Sequence, residues 1–309
     1  MTTAPIQLVR LRRMALIGLL LILAVTSLSA YMRLANAGLG CADWPACYGA
    51  ALRASATSAS LSDTSVAVAR MLHRLAAMTV LVLALVIAAA SFSSRPRLRR
   101  EGVLAMVMIA IAIGLAVLGR YSAGAKLPII AIGNVLGGFA MVATSFAVWR
   151  GPSAGTRWSM PAAGLMLLLV AQIALGVWVS ASYSGLSCTG FPACGSVIDP
   201  SWSLLDPTRV PQIAATAPTH AEGAFTHMLH RVLALLVALA ACATSVITWR
   251  DGRHRAALAL AALLVLQIGL GVTLVLAALP FAAALLHNLV AALMLLAAMS
   301  CLRRERART

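Results

Sequence analysis

Charged residues are scarce in this chain, and acidic residues are the scarcest. Asp and Glu together number 8, and charged residues of all kinds make up 10% of the sequence. Soluble globular domains carry about 25% charged residues, so the composition excludes an ordinary water-soluble fold. Zinc sites need three or four converging Cys, His or acidic ligands, so the lack of carboxylates also disfavours such a site. No segment matches a flavin, nucleotide or iron–sulfur motif.

Hydrophobic residues are correspondingly abundant. They make up 61% of the 309 residues, and the mean hydropathy is +0.94. A bilayer core about 30 Å thick is crossed by roughly 20 apolar helical residues, and such runs recur along the chain. We predict an all-α polytopic membrane protein with eight transmembrane helices. The predicted spans are 14–32, 66–92, 103–119, 128–149, 160–180, 225–249, 256–279 and 280–302.

The net charge of +16 comes from small arginine clusters at the ends of these spans. They do not form a groove-like basic run with interleaved aromatics, which argues against nucleic acid as a partner. Clusters precede the first span and follow the second, fourth, sixth and eighth spans. By the positive-inside rule, both termini are cytoplasmic, and the long loops after spans one and five face outward. The first span exceeds the usual apolar core of a signal peptide, so we expect it to be retained.

The chain contains an internal repeat of about 150 residues. Residues 38–47 resemble residues 185–194, 71–74 recur as 228–231, and Pro128 is echoed by Pro280. Several matches in the same order indicate duplication, and parallel repeats are a known membrane architecture. We predict two tandem four-helix bundles, residues 1–157 and residues 158–309, each with its own interior.

Four cysteines lie in the predicted outward loops as two pairs with one spacing, Cys41 with Cys47 and Cys188 with Cys194. An oxidising compartment favours a disulfide in each loop. The rings are short, so the entropic gain is modest and the bonds could also undergo redox exchange. A structural clasp is the preferred interpretation, with a redox role as the alternative.

Four polar residues lie five to seven residues inside spans two, four, six and eight: His73, Asn134, His230 and His287. This places them roughly 8–11 Å below the outer helix ends. An ionisable group at that depth is costly and is functional by default. Neutral imidazole is a good axial ligand for haem iron, and His230 with His287 could clamp a haem between facing helices. Helix–helix hydrogen bonding is the plainer alternative for a single histidine.

Two further features accompany the histidines. Arg74 and Arg231 directly follow His73 and His230, and their guanidinium groups could bind haem propionates or simply snorkel outward. Gln172 and Gln267 recur in matching Gln-Ile-x-Leu-Gly segments, which predicts close packing and hydrogen bonding between helices.

Together these motifs resemble the haem A synthase family over nearly the whole chain. The resemblance is carried by eight spans, by residues 33–45 with Gly-Leu-Gly before the first cysteine, by the two His-Arg pairs, and by His287-Asn288-Leu289. It implies oxidation of the C8 methyl of haem O to a formyl group by successive hydroxylations, which yields haem A for terminal oxidases. It also implies a bacterial inner membrane, an enzyme that supplies haem O, an electron donor and a terminal oxidase assembly pathway.

The resemblance also implies that the two halves bind different haems. His230 and His287 would ligate a haem b cofactor in the C-terminal half, and His73 would be an axial ligand to haem O in the N-terminal half. Two positions depart from the family, because Asn134 stands where histidine is usual and Arg70 where glutamate is usual. The departure leaves two possibilities, a substrate haem held on one side by His73, or an N-terminal half without turnover.

Two other functions fit the same sequence. One is a b-type electron-transfer membrane protein without a substrate, and the other is a haem-binding assembly or transport module. The haem-modifying oxidoreductase is the preferred hypothesis.

Overall fold

The computed structural model describes residues 4–39, 41, 43–49, 63–122, 127–151, 156–196, 198, 200, 206–211 and 221–305. Gly40 and Ala42 of the first cysteine segment lie outside these residues. The described part of the chain contains eight helices and two short strands. The helices are α1 Ala4–Asn36, α2 Asp63–Ser93, α3 Arg99–Ser122, α4 Pro128–Arg150, α5 Met160–Ala181, α6 Ala221–Arg250, α7 His254–Leu276 and α8 Phe281–Cys301.

All eight helices are long and apolar enough to cross a membrane. The predicted all-α membrane fold is therefore confirmed, and most helix ends fall within a few residues of the predicted spans. Four helices begin three or more residues earlier than predicted: α1 at Ala4, α2 at Asp63, α3 at Arg99 and α6 at Ala221. Counting apolar residues finds only the part of a helix that lies in lipid, and a helix can continue beyond it with polar residues.

The earlier starts change the depth estimate for the predicted site residues. His73 lies ten residues beyond the start of α2 and His230 nine beyond the start of α6, whereas Asn134 and His287 lie six beyond the starts of α4 and α8. The four residues therefore lie at different distances from the starts of their helices, and their shared depth in the membrane stays a prediction. The sequence estimate treated the edge of the apolar run as the end of the helix.

A pair of three-residue strands was not predicted from the sequence. Strand β1, Thr156–Trp158, pairs antiparallel with β2, Arg303–Glu305. The Ser159 N–H extends the pairing by donating to the Leu302 carbonyl at 2.8 Å. The pair attaches the connection between the halves to the segment after α8. Strands this short have no alternating pattern that a sequence could reveal.

The helices pack as two groups of four that share a seam. Buried residues such as Met108 and Val142 form the interior of the N-terminal group, and Leu165 and Met294 belong to that of the C-terminal group. A third cluster of buried residues crosses the seam between α4, α5 and α8. Each half thus has buried residues of its own, while the division into two bundles at residue 157 and its origin by duplication stay predictions.

The segments that carry the cysteines interlock at one end of the bundle, which we call the cysteine-loop end. The Tyr48 ring contacts Trp44 and Tyr183 edge-on, with centroids 5.5 Å apart in each pair. Burial raises the pKa of Tyr48, whose hydroxyl also forms a hydrogen bond with the backbone of Gly185. The cysteine-bearing segments of the two halves therefore contact each other at this end.

Candidate functional site

The N-terminal half contains a large cavity of about 1490 Å³. Small-molecule sites usually enclose about 300–1000 Å³, so this space suits a large ligand. His73, Arg74 and Asn134 all line it, so the structure brings the predicted residues of this half to one cavity. Residues near the middle of the helices, such as Ile22 and Met141, make its deeper wall apolar.

The polar lining of this cavity is cationic. Four arginines contribute to the wall: Arg33, Arg70, Arg74 and Arg120. Each lies near the end of its helix closest to the cysteine loops. Among the described lining residues none is Asp or Glu. A space with an apolar interior and a basic rim matches a large apolar ligand that carries anionic groups at one edge.

The C-terminal half holds the other two predicted histidines, and each is paired with a glutamine. The Gln172 Nε2 lies 3.3 Å from the His230 Nε2, and the Gln267 Nε2 lies 3.1 Å from the His287 Nε2. Gln172 also donates to the His230 carbonyl at 3.1 Å, which places its amide nitrogen towards the ring. An amide N–H can only donate, so this contact is a hydrogen bond in the tautomer whose Nε2 accepts and whose Nδ1 carries the proton.

Both imidazoles retain unmet hydrogen-bonding capacity. The Nδ1 atoms of His230 and His287 and the Oε1 atoms of Gln172 and Gln267 are buried without a hydrogen-bond partner. Buried polar groups are normally paired, so such a group calls for an explanation. Two buried imidazoles with two amides incompletely satisfied are consistent with a ligand site between these helices.

A glycine lies beside each imidazole. A Cβ built on Gly176 would lie 3.0 Å from the His230 Cε1, which is a tight contact, whereas one on Gly271 would lie 3.5 Å from the His287 Cε1, which is an ordinary contact. Each repeated Gln-Ile-x-Leu-Gly segment therefore places an amide and, one helical turn later, a glycine beside the ring, and Gly176 leaves room that the His230 ring needs. The sequence predicted helix packing for these glutamines, and the structure adds the histidine partners.

Helix α8 contributes to both halves through consecutive residues. His287 turns towards Gln267 on α7, whereas Asn288 accepts a hydrogen bond from the Arg33 Nη2 on α1 at 2.9 Å and lines the N-terminal cavity. Sequence reasoning assigned no role to Arg33 or Asn288, although both lie in the segments that carry the family resemblance. Their contact joins residues 255 positions apart, and no local pattern reports such a contact.

Arg231 holds the second cysteine loop. Its Nη1 donates to the carbonyls of Gly190, Pro192 and Ala193 at 2.8, 3.1 and 3.4 Å, and its guanidinium lies 5.9 Å from the Phe191 ring centroid. Arg231 therefore has a structural role in this loop, whereas the sequence predicted that it could bind a haem propionate. Its Nε and Nη2 are buried without partners and could still bind an acceptor. Arg74, its counterpart in the repeat, is exposed and lines the cavity.

Both predicted disulfides are formed, with Cα–Cα distances of 6.7 Å for Cys41–Cys47 and 4.5 Å for Cys188–Cys194. Their surroundings differ. Cys188 and Cys194 are buried, whereas Cys41 and Cys47 are half-buried and line the N-terminal cavity. The second bridge therefore fits a structural clasp. The first is accessible from the cavity, so redox exchange stays open there.

Known proteins resemble this chain over both of its halves. The model of the cytochrome oxidase assembly protein family matches residues 12–299. The chain belongs to this family. A curated relative, Heme A synthase from Shewanella oneidensis, is 28% identical over an alignment of 322 residues that covers 94% of each chain. The resemblance drawn from the sequence motifs is confirmed at the level of the family.

The match to the cytochrome oxidase assembly protein family includes every residue of the two sites described above. It runs from α1 into α8, so it covers the cavity, the two histidine–glutamine pairs and both cysteine loops. The shared region is thus nearly all of the membrane-spanning part of the chain.

Proposed function

We propose that this protein is a haem A synthase that oxidises the C8 methyl of haem O to a formyl group by successive hydroxylations. Its family and its Shewanella relative support a haem-modifying oxidoreductase. The observation that carries the proposal is the large N-terminal cavity, which combines His73 with a basic rim, together with a separate pair of half-buried histidines in the C-terminal half.

Haem O matches the cavity chemically. Its macrocycle and isoprenoid tail are apolar, and its propionates are anionic. The apolar wall suits the former, and the arginines at the cysteine-loop end suit the latter. In the proposed complex, the His73 imidazole is the axial ligand to the substrate iron. Asn134 lines the same cavity, and its amide would be only a weak ligand to that iron.

The donor set in the C-terminal half fits a resident b-type haem. His230 and His287 would hold its iron, because neutral imidazole is a good ligand for haem iron and both side chains are half-buried between these helices. When bound, haem b supplies one-electron transfer to the substrate site. In this proposal, the Gln172 and Gln267 amides would release the Nε2 atoms of the two imidazoles to the iron, and Gly176 leaves space for the His230 ring.

The cellular setting is inferred from the family resemblance, and the orientation is inferred from the arginine clusters. We infer that the protein lies in the bacterial inner membrane, with both termini cytoplasmic and the cysteine loops on the outer face. Haem O would come from the enzyme that makes it, and haem A would pass to terminal oxidase assembly. Electrons would come from a separate donor, or through Cys41 and Cys47, which line the cavity.

The decisive test supplies the purified protein in lipid with haem O, a reductant and oxygen, and identifies the haems by extraction and mass spectrometry. A formyl-bearing product is the expected result. If the protein holds haem b tightly but does not convert haem O, the proposal is wrong and the protein is an electron-transfer protein. If haem O binds and is released unchanged, the protein is a haem-binding assembly or transport module.

Gly176→Ala is expected to weaken haem b retention about tenfold, because the added Cβ would lie 3.0 Å from the His230 Cε1 and displace the ring. The measurement is haem content and dissociation rate after purification. Gly164→Ala is the matched control on the same helix, where a Cβ meets nothing within 4 Å. Equal retention in the two variants would contradict the proposed packing of His230 against Gly176.

A further inference from the structure

Arg33 differs from the other arginines of the N-terminal cavity. Its Nε and Nη1 atoms are buried and have no hydrogen-bond partner. Arg70, Arg74 and Arg120 are exposed. A guanidinium is always charged, and leaving its donors buried and unpaired costs free energy. Because Arg33 lines the cavity, an acceptor brought by a ligand can satisfy these donors.

The position of the Arg33 guanidinium is set by Asn288. The Asn288 Nδ2 donates to the Ala284 carbonyl of its own helix at 2.8 Å, which orients the amide. The Asn288 Oδ1 then accepts from the Arg33 Nη2 at 2.9 Å. A neutral amide orients the guanidinium without neutralising its charge. Neither hydrogen bond uses Nε or Nη1, so these donors stay available.

We propose that Arg33 is the principal binding residue for a carboxylate of the porphyrin substrate in the N-terminal cavity. This inference rests on the proposed function for the identity of the ligand, and it assigns the propionate contact to a residue other than Arg74. A charge-assisted hydrogen bond in a buried place is stronger than one at an exposed arginine, where solvent screens the charge. Arg33 therefore selects ligands with a free carboxylate.

The experiment compares haem O with its dimethyl ester as ligands of the full-length protein in detergent, after preloading with haem b and removal of excess porphyrin. The unmodified protein is expected to bind the free acid more tightly than the diester. Arg33→Gln should weaken binding of the free acid about 10- to 100-fold and leave diester binding unchanged. Diester binding also shows that the cavity is intact in the variant.

Two further variants sharpen the result. Arg33→Lys keeps the charge and should retain part of the preference for the free acid. Arg255→Gln removes an exposed arginine at the other end of the bundle and should change neither affinity. Equal weakening of acid and diester in Arg33→Gln would indicate a structural role and overturn the inference, and so would an unchanged preference for the acid.

Failure of this inference and failure of the proposed function give different results. If the protein converts haem O to haem A while Arg33→Gln keeps the preference for the free acid, the function stands and the role of Arg33 is wrong. If Arg33→Gln abolishes that preference while no formyl product ever forms, Arg33 binds the carboxylate and the proposed reaction is wrong.

Discussion

Replacing His230 or His287 with alanine is expected to remove the low-spin b-type haem spectrum of the purified protein. Each imidazole is an axial ligand in the proposal, so either loss should lower haem affinity by more than about 100-fold, beyond the effect of changing a residue that only supports a ligand. Absorption and electron paramagnetic resonance spectra of the reduced and oxidised protein provide the measurement.

The matched control for these two variants is His254→Ala. His254 lies at the start of α7 and contacts Trp249 with ring centroids 4.2 Å apart and planes tilted by 59°, away from both sites. Its removal should leave the haem spectrum unchanged. A normal spectrum in either His230→Ala or His287→Ala would exclude that residue as an axial ligand.

His73→Ala is expected to lower conversion of haem O by more than about 100-fold while the low-spin spectrum of the C-terminal half persists. The physical reason is that His73 lines the N-terminal cavity, whereas His230 and His287 pack with glutamines of α5 and α7. Turnover assays combined with spectra of the same preparation separate the two effects.

An equal effect of His73→Ala, His230→Ala and His287→Ala on the haem spectrum and on turnover would contradict separate roles for the two halves. If His73→Ala also removed the low-spin spectrum, the two halves would form one haem site. If His73→Ala left turnover intact, the N-terminal cavity would not be the place of reaction.

Much of the architecture could be predicted from local patterns. Runs of about 20 apolar residues predicted the eight helices because a bilayer imposes a length on each span independently of the other spans. The two disulfides followed from spacing within short loops. The helix ends were less accurate, since α2 and α6 continue beyond lipid with polar residues that a hydropathy count omits.

The candidate site could be predicted only in part. His73 and Asn134 were expected near one ligand, and both line the same cavity. The sequence also suggested that Arg231 could bind propionates, whereas its Nη1 binds three carbonyls of the second cysteine loop. An arginine beside a histidine looks the same in a sequence whether its partner is a ligand or a backbone carbonyl.

The amino-acid sequence by itself determined the membrane class, the eight helices, the paired cysteines and the family resemblance, because these depend on residue type and spacing along the chain. Only the tertiary structure decided which polar groups meet. It brought Arg33 to Asn288, each histidine to its glutamine, and β1 to β2. Such contacts depend on how helices rotate and pack against one another, which the hydrophobic pattern of each helix leaves undetermined in a bilayer.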